Sequence, residues 1–510
     1  MRCIECEEIE LARVSDARPS QRLPVPYAAL DGFPNGRTPP ELTRRRLLQW
    51  GVAGVASVYG AKELGWEAIW EAVAAANAAE EKCLVLLYLA GGNDGLNVLV
   101  PNDPVDWEAY RVARPEIHRL RGPGEGGRIG SLPLPGPGGA ALAFANVVVS
   151  GAGNNGDPDY GLDKLYGDGT ALGSDLAIMP AVDAKQYNLS HFDNSDIWFK
   201  ASNDQNVKTG WLGRWIDRNG NDSNPLQAIS IDTALSKAIR TERNPVCAIP
   251  SLPFAGFTYS SGAFGGANNL NLNTTMRDLA GIGEGNDNAY LGRSRATYGL
   301  AVETWQRLGA ITSATPTPTA TPTPAPIVYP AGTLGNRLKT AATLLAANLG
   351  TRVITIHWGG FDTHTGQLAA QDRQLIEFSR ALAAFRADLQ LKGVEQRVAT
   401  VVFSEFGRRV KENGTGTEAG TDHGAGGLMF AMGSAVRGGF ASVWPGCEVS
   451  ERTPANENQG NLKVPTDYRS VYRAVIEEWL GDDPEAVLGG SPIELLDRGD
   501  GANTSRRLFK

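Results

Sequence analysis

The chain has 510 residues, of which 42% are hydrophobic and 20% are charged, as in a soluble globular protein with a large core. Its net charge of -8 argues against nucleic acid as the main partner, because no overall positive field would attract phosphates. The length suits one large α/β unit with insertions, or two domains.

The N-terminal region resembles a twin-arginine export signal. Residues 41–60, ELTRRRLLQWGVAGVASVYG, place three consecutive arginines before a short apolar run, and the small residues at 72–80 suit cleavage near Ala78. The apolar run is too short to cross a bilayer of about 30 Å, so we expect no transmembrane helix in the mature chain. Residues 1–78 therefore predict export by the twin-arginine translocation machinery to the periplasm, or to the extracellular space or cell surface. An ordinary amphipathic helix with a basic start is the alternative.

Two apolar segments predict strands in the first half of the chain. Residues 83–90, CLVLLYLA, are apolar on both faces, which is typical of a central strand in a parallel sheet. Residues 174–182 predict a second strand, and a helix is expected to begin near Ser190. The segment GWLGRWIDRNG at 210–220 predicts a short amphipathic helix that ends at a glycine.

The middle of the chain is less regular, and the second half alternates strands with helices. An irregular insertion is expected at about 235–295, followed by a loop rich in proline and threonine at 313–330. The later alternation predicts an open, mainly parallel sheet with helices on both faces, in a single α/β domain over residues 79–510. Its predicted elements are a helix at 333–349, a strand at 352–358, a helix at 367–392, strands at 397–407 and 427–433, and a helix at 466–481.

Potential metal ligands follow four of the predicted strands. In an open α/β sheet, ligands bind outside the carboxyl ends of the strands, so side chains far apart in sequence would lie together there. Carboxylates and imidazoles bind divalent ions, and gathering their charge without a cation would be costly. The candidates are Asp94 after the first strand, Ser190, His191 and Asp193 after the second, Asp362 and His364 after the third, and Glu405, Asp422 and His423 after the fourth.

Each candidate also has a structural interpretation. An aspartate beside a glycine turn, such as Asp94, is usually a turn former or a helix cap, and Ser190 fits the N-cap of a helix. His364 alone would be a hydrogen-bonded surface histidine, and the segment around Glu405 would be a strand that ends in solvated charges. The combined pattern predicts a divalent metal ion, with zinc, magnesium and calcium left open.

The ordered motifs resemble a known family. The chain is similar to a family of uncharacterised, twin-arginine-exported bacterial proteins (domain of unknown function 1501) over residues 82–482. That family is grouped with the sulfatase-like members of the alkaline phosphatase superfamily, which implies an alkaline phosphatase-like α/β fold with long loop insertions. The motifs that carry the resemblance are LVLLYLAGGNDGLNVLVP, SHFDNSDIW, GWLGRWID, GGFDTHTGQ, FSEFGRRVKENGTGTEAGTDHGAGG and VPTDYRSVYRAVIEEWLG.

The superfamily resemblance implies a role for each main candidate. Its members bind metal through an early aspartate, place a nucleophile at a helix start and complete the site with late Asp and His groups. Glu405 stands where an Asp-His pair is commoner. The assignments are Asp94 as the early metal aspartate, Ser190 as the nucleophile, Asp362 and His364 as the first late ligand pair, Glu405 as the acidic ligand at a strand end, and His423 as the last histidine.

Four further residues are secondary candidates: His191, Asp193, Arg408 and Asp422. Asp193 or a metal-bound water could act in place of Ser190. Arg408 could hold an anionic group bidentately, or form an ion pair at the rim of the site. The chain has no Cys-x-Pro-x-Arg sulfatase motif, which argues against formylglycine chemistry.

The sequence therefore predicts an exported, metal-dependent hydrolase that acts on an anionic phosphate or sulfate-type ester. A secreted scaffold or binding protein that keeps the fold without catalysis is the alternative, since one fold hosts many functions. If the hydrolase interpretation holds, at least four of the five predicted ligands should approach one point.

Overall fold

The computed structural model describes residues 81–119, 132–134, 141–152, 154–170, 172–252, 326–447, 460–489, 493–498 and 508–510, with single positions between 275 and 308. The predicted signal region at 1–78 lies outside the described residues, as do most of the predicted insertion and most of the loop rich in proline and threonine. The domain boundaries stay predictions.

The chain divides into two compact units by its contacts. One unit is Met1–Glu81 with Gly256–Ser313, and the other is Lys82–Ala255 with Ala314–Lys510. In the first unit, the described positions between 275 and 308 are helical. All the elements discussed below belong to the second unit.

A nine-stranded sheet forms the centre of the second unit, which confirms the predicted α/β class. In β1, seven of eight residues are buried, as expected for a strand that is apolar on both faces. The strands of the chain are β1 (Cys83–Ala90), β2 (Leu99–Pro101), β3 (Leu132–Pro133), β4 (Leu142–Phe144), β5 (Leu176–Asp183), β6 (Ala228–Ser230), β7 (Cys247–Ala248), β8 (Val353–Gly359), β9 (Val398–Phe403), β10 (Gly407–Arg408), β11 (His423–Gly424), β12 (Gly427–Met432), β13 (Gly439–Phe440) and β14 (Thr466–Asp467).

The sheet is mainly parallel, as predicted. Its order is β13-β5-β12-β9-β1-β8-β6-β7, and β14 also pairs with β5. Only β12 runs antiparallel to its neighbours β5 and β9 among the described pairings of this sheet. Because β1 lies between β8 and β9 and is parallel to both, the turns after these three strands leave the same edge of the sheet. The predicted ligand loops therefore start side by side.

Helices pack against the sheet. The predicted last helix is found at residues 468–480, but it changes at Val475 from an α-helix into a π-helix. The α-helices are α1 (Pro104–Ala113), α2 (Leu162–Tyr166), α3 (His191–Lys200), α4 (Trp211–Asn219), α5 (Thr333–Ala346), α6 (Gln367–Leu391), α7 (Tyr468–Ala474) and α8 (Pro484–Leu488). None of these described helices has the length and apolar character needed to span a lipid bilayer.

Aromatic packing fixes α3 on the sheet. Trp198 is fully buried, and its ring stacks on Tyr468 at a centroid distance of 4.5 Å and on Phe403 at 5.2 Å. Burying a large aromatic side chain contributes about 1.5–3 kcal/mol relative to leaving it exposed. Since α3 begins at His191, this packing holds the first turn of the helix at the edge of the sheet.

Candidate metal centre

The turns that follow β1 and β8 touch each other. The two strands pair in register, with Ala90 opposite Gly359, so both turns start at the same level. Gly91 has a φ of +118°, and a Cβ at this position would lie 2.4 Å from the backbone nitrogen of Asp362. A glycine is therefore required for both conformation and space. This close contact fixes the backbone of Asp362 beside the end of β1.

Arg408 ties three loops together from a buried position. It pairs with His423 across the β10–β11 ribbon, and its side chain is 0% exposed. It forms an ion pair with Asp362, as in the second interpretation considered above, but from a buried position, so its guanidinium is not presented to solvent for binding an anion. All three of its nitrogens donate within the protein, to the carbonyl oxygens of Gly91, Gly92, Phe361 and Thr421 and to Asp362 Oδ1.

Three of the five histidines converge on Asp362. His364 Nε2 lies 3.0 Å from Asp362 Oδ1, and His423 Nε2 lies 3.2 Å from the same oxygen. The two Nε2 atoms are 3.0 Å apart. His191 Nε2 approaches the second carboxylate oxygen, Oδ2, at 3.4 Å. One ligand atom each from His191, Asp362 and His423 lie within 4.8 Å of one another.

Each of these imidazoles is oriented through its other nitrogen, Nδ1. A carbonyl or an ionised carboxylate only accepts hydrogen bonds, so Nδ1 carries the proton in each ring, and Nε2 of the neutral ring offers a lone pair. The partners are Glu405 Oε1 for His191 at 2.7 Å, Asp422 Oδ1 for His364 at 3.0 Å and the Leu189 carbonyl for His423 at 2.8 Å.

This donor set fits a divalent cation. The lone pairs of His364 and His423 face each other beside a carboxylate oxygen, and they repel unless a cation or an extra proton lies between them. Two ligands on a tetrahedral ion with bonds of about 2.0–2.1 Å are about 3.3 Å apart, which is close to the separations in the cluster. His191 Nε2 is buried and makes no hydrogen bond within the described residues. Hydrogen bonds from Nδ1 to oxygen acceptors are the usual support of metal-binding imidazoles.

The charges in the cluster favour a cation. Burial opposes the ionisation of Asp362, but the contributions led by the hydrogen bond from Arg408 outweigh it and lower its pKa to about 2. The hydrogen bond to Glu405 raises the pKa of His191, whereas burial lowers the pKa of His423. Asp362 is therefore ionised at ordinary pH, and its side chain is 46% exposed, so the cluster is open to solvent.

Glu405 is a buried acid that contacts the cluster through His191. Its side chain is 1% exposed. Oε1 accepts from His191 Nδ1 and from the Gly91 N–H at 2.9 Å, and Oε2 accepts from the Gly92 N–H at 3.2 Å. Burial raises the pKa of Glu405, but the hydrogen bond from His191 leads the contributions that lower it below its ordinary value. Both carboxylate oxygens have protein donors, so Glu405 orients His191 by accepting a hydrogen bond from its Nδ1.

Asp94 lies apart from the three histidines, in a buried ion pair with Arg114. The two groups form a bidentate pair, with distances of 2.6 Å from Nη1 to Oδ2 and 3.1 Å from Nη2 to Oδ1. Oδ1 also accepts from the Leu96 N–H at 3.2 Å, and Oδ2 accepts from Gln367 Nε2. The side chains of Arg114 and Asp94 are 0% and 1% exposed. Asp94 thus has the capping role that was its structural alternative, strengthened by a buried cation.

Ser190 and Asp193 lie at the first turn of α3. Ser190 is half-buried, and its hydroxyl caps the helix by accepting from the Asp193 N–H at 3.5 Å. The Asp193 side chain is exposed and accepts from Asn188 Nδ2 at 3.1 Å. Ser190 therefore precedes His191 at the edge of the cluster, while its hydroxyl is used locally in a long hydrogen bond.

The groups that converge differ in part from the five predicted ligands. Asp362, His364 and His423 come together, and the fourth member is His191, a secondary candidate. Glu405 and Asp422 lie one hydrogen bond further out, each behind an imidazole.

Two residues that the sequence did not single out position these groups. Arg114 pairs with Asp94 but belongs to a segment without a strand or glycine signal. Asn194 is fully buried, donates to the Glu405 carbonyl and accepts from the Asn188 N–H at 3.2 Å. The only sequence feature that could have indicated Asn194 is its position one turn after the predicted start of the helix.

Comparisons with known proteins add a family match and two distant structures. A family model described as "Protein of unknown function (DUF1501)" matches residues 316–446, which is less than half of the chain, so membership of the family stays a prediction. A TAB5 alkaline phosphatase mutant with magnesium bound is 8% identical, with 71% of this chain and 94% of that chain covered and a TM-score of 0.27. A 2-O GAG sulfatase is 11% identical, with 70% and 65% covered and a TM-score of 0.23. No curated protein sequence matches this chain.

Proposed function

We propose that the protein is an exported, metal-dependent hydrolase of phosphate or sulfate-type esters. One observation carries the proposal: three imidazole Nε2 atoms converge on the Asp362 carboxylate, while each Nδ1 is fixed by an oxygen acceptor. A structural ion in a closed site would be shielded from solvent. Here the side chains of Asp362 and His364 are 46% and 42% exposed, so a substrate group can reach the cluster.

The chain's own residues orient the donors and balance their charge. A bound divalent ion would supply Lewis-acid stabilisation of ester oxygens and a lower pKa for a bound water or alcohol. Glu405 and Asp422 fix the ring orientations of His191 and His364. Arg408 holds Asp362 through one carboxylate oxygen at 2.7 Å and keeps it ionised.

Ser190 is the proposed nucleophile. It lies at the N-terminus of α3 beside His191, and its hydroxyl makes one long hydrogen bond of 3.5 Å that can be given up. Its Oγ would attack the phosphorus or sulfur, the alcohol would leave with a proton, and water would then release the anion from the serine. In the alternative, water attacks directly and Ser190 remains a helix cap. Asp193, on the same turn, is the other candidate.

The hydrolase proposal is tested on two chromogenic esters. We expect protein purified without chelators to hydrolyse p-nitrophenyl phosphate or p-nitrophenyl sulfate, and His423→Gln to abolish this activity. His118→Gln, a histidine outside the cluster, is the matched control and should retain activity. Ser190→Ala separates the two nucleophiles, because loss of turnover with intact metal content supports serine and retained turnover supports water. A well-folded, metal-loaded protein that hydrolyses neither ester would favour the scaffold alternative.

Export is tested separately from catalysis. If residues 41–60 form a twin-arginine signal, replacing Arg44 and Arg45 by lysine should leave the protein inside the cell. Cell fractionation and immunoblotting measure this, with Arg37→Lys upstream as the control. Unchanged export of the double variant would favour the amphipathic-helix interpretation.

A further inference from the structure

We infer that the cluster binds a single ion of the zinc class, with imidazoles of His191 and His423 and the carboxylate of Asp362 as ligands and His364 as the neighbouring donor. Asp94 is excluded as a ligand of a second metal ion, because its carboxylate is already paired with the Arg114 guanidinium. The inference rests on the metal centre of the proposed function and is independent of whether esters are hydrolysed.

The donor types point to the zinc class. Magnesium and calcium prefer sets of oxygen ligands, whereas imidazole nitrogen suits zinc and its neighbours in the first transition row. Here three nitrogens converge on one carboxylate. His191 Nε2 is buried and has no hydrogen-bond partner among the described residues, which leaves its lone pair directed into the cluster.

The number of ions follows from the two buried acids. Asp94 accepts two hydrogen bonds from Arg114 and further ones from Leu96 and Gln367, so both of its oxygens are saturated. A buried guanidinium that contacts the carboxylate neutralises it and repels an additional cation. The protein therefore supplies a fixed positive charge where an early metal aspartate would otherwise attract an ion.

Glu405 does not provide a second site either. Its two oxygens accept from Gly91, Gly92 and His191. Among the described parts of the chain, the group of His191, Asp362 and His423 and the contacts of His364 share Asp362 and His423, so these ligand atoms form one connected set. One convergent set implies one ion.

Metal titration of the intact chain tests both parts of the inference. Chelator-treated protein would be titrated with zinc, magnesium and calcium chlorides by calorimetry, and the loaded protein analysed by mass spectrometry of the metal. We expect one zinc per chain and at least 100-fold weaker binding of magnesium and calcium. Two zinc ions per chain, or tighter binding of magnesium or calcium, would overturn it.

Cobalt substitution tests the ligand assignment without any assay of turnover. Cobalt(II) should give visible absorption bands that saturate at one equivalent, and His191→Ala and His423→Ala should each change the bands or weaken binding at least 100-fold. Asp94→Asn should leave the spectrum and stoichiometry unchanged. If Asp94→Asn fails to fold, the wild-type stoichiometry alone decides the number of ions. One zinc without ester turnover would leave this inference standing and overturn the proposed hydrolysis.

Discussion

Asp94 and Asp362 follow the same local pattern but end in different surroundings. Each is the fourth residue of a Gly-Gly-x-Asp motif at the end of one of the adjacent parallel strands β1 and β8. Asp94 is 1% exposed and paired bidentately with Arg114, whereas Asp362 is 46% exposed and faces three imidazoles. The side chains that the rest of the chain packs against a turn aspartate thus decide whether it forms a structural ion pair or is available as a metal ligand.

The difference between the two acids reflects how each is neutralised. Arg114 covers both oxygens of Asp94. Arg408 reaches only Oδ1 of Asp362, so Oδ2 and the facing imidazole nitrogens remain available to a cation. The comparison therefore predicts that Asp94 acts on stability alone, whereas Asp362 governs metal binding.

The largest expected effect is on stability at Asp94. Asp94→Ala leaves the Arg114 guanidinium buried without a counter-charge, and we expect a loss of about 3–5 kcal/mol in the free energy of unfolding. Urea denaturation followed by tryptophan fluorescence measures it. The double variant with Arg114→Met should recover part of the loss. A loss in the free energy of unfolding below about 1 kcal/mol, which is typical of an exposed ion pair, would contradict a structural role for Asp94.

The next effect concerns metal-dependent stabilisation. Zinc at 100 times its Kd should stabilise the wild-type protein by about 2.7 kcal/mol, because it binds only the folded state. Asp362→Ala should lose this gain, and its metal-free stability should also fall, because the buried Arg408 guanidinium loses the carboxylate with which it is paired. Thermal unfolding with and without zinc measures both quantities. An equal zinc effect in the variant would show that Asp362 is not a ligand.

A smaller effect is expected at Glu405. Glu405→Gln keeps the size of the side chain but removes the charge behind His191. Outer hydrogen-bond partners of metal ligands typically change affinity by about 10–100-fold when mutated, so we expect zinc binding to weaken by that factor with unchanged stoichiometry. Competition with a chromophoric chelator measures the affinity. Complete loss of zinc would instead identify Glu405 as a direct ligand.

The last effect is a pH dependence at a third buried acid, Asp183, which sharpens the role of Arg114. Asp183 is fully buried without a guanidinium partner in its described contacts, and burial raises its pKa to about 8 despite hydrogen bonds from Ala184 and Gly426. Because this folded-state pKa lies above the unfolded value, its stabilising contribution is complete below about pH 4 and is lost as the pH rises through about 8.

Asp183→Asn tests this pH dependence. The wild-type protein should lose stability relative to the variant between pH 5 and pH 8, by about 1.4 kcal/mol for each pH unit. Urea denaturation of both proteins across this range measures the difference. Parallel stability curves would mean that Asp183 is charged in the folded protein, as Asp94 is beside Arg114.

Much of this arrangement could be predicted from sequence. Apolar runs such as 83–90 locate the central strands, and the alternation with helices places Asp362 and His423 at one edge of the sheet. The pairing of Asp94 could not be predicted, because Arg114 reaches it through tertiary packing from a segment with no periodic signal. Nor does sequence show whether a carboxylate such as Glu405 faces a metal or the far nitrogen of an imidazole.

The most direct test of the central contrast is a crystal structure of the zinc-loaded protein with anomalous scattering at the zinc edge. We expect one anomalous peak per chain, at about 2.0–2.2 Å from His191 Nε2, His423 Nε2 and an Asp362 oxygen. Asp94 should remain bonded to Arg114, with no density between them. A peak coordinated by Asp94, or no peak among the three histidines, would contradict the account.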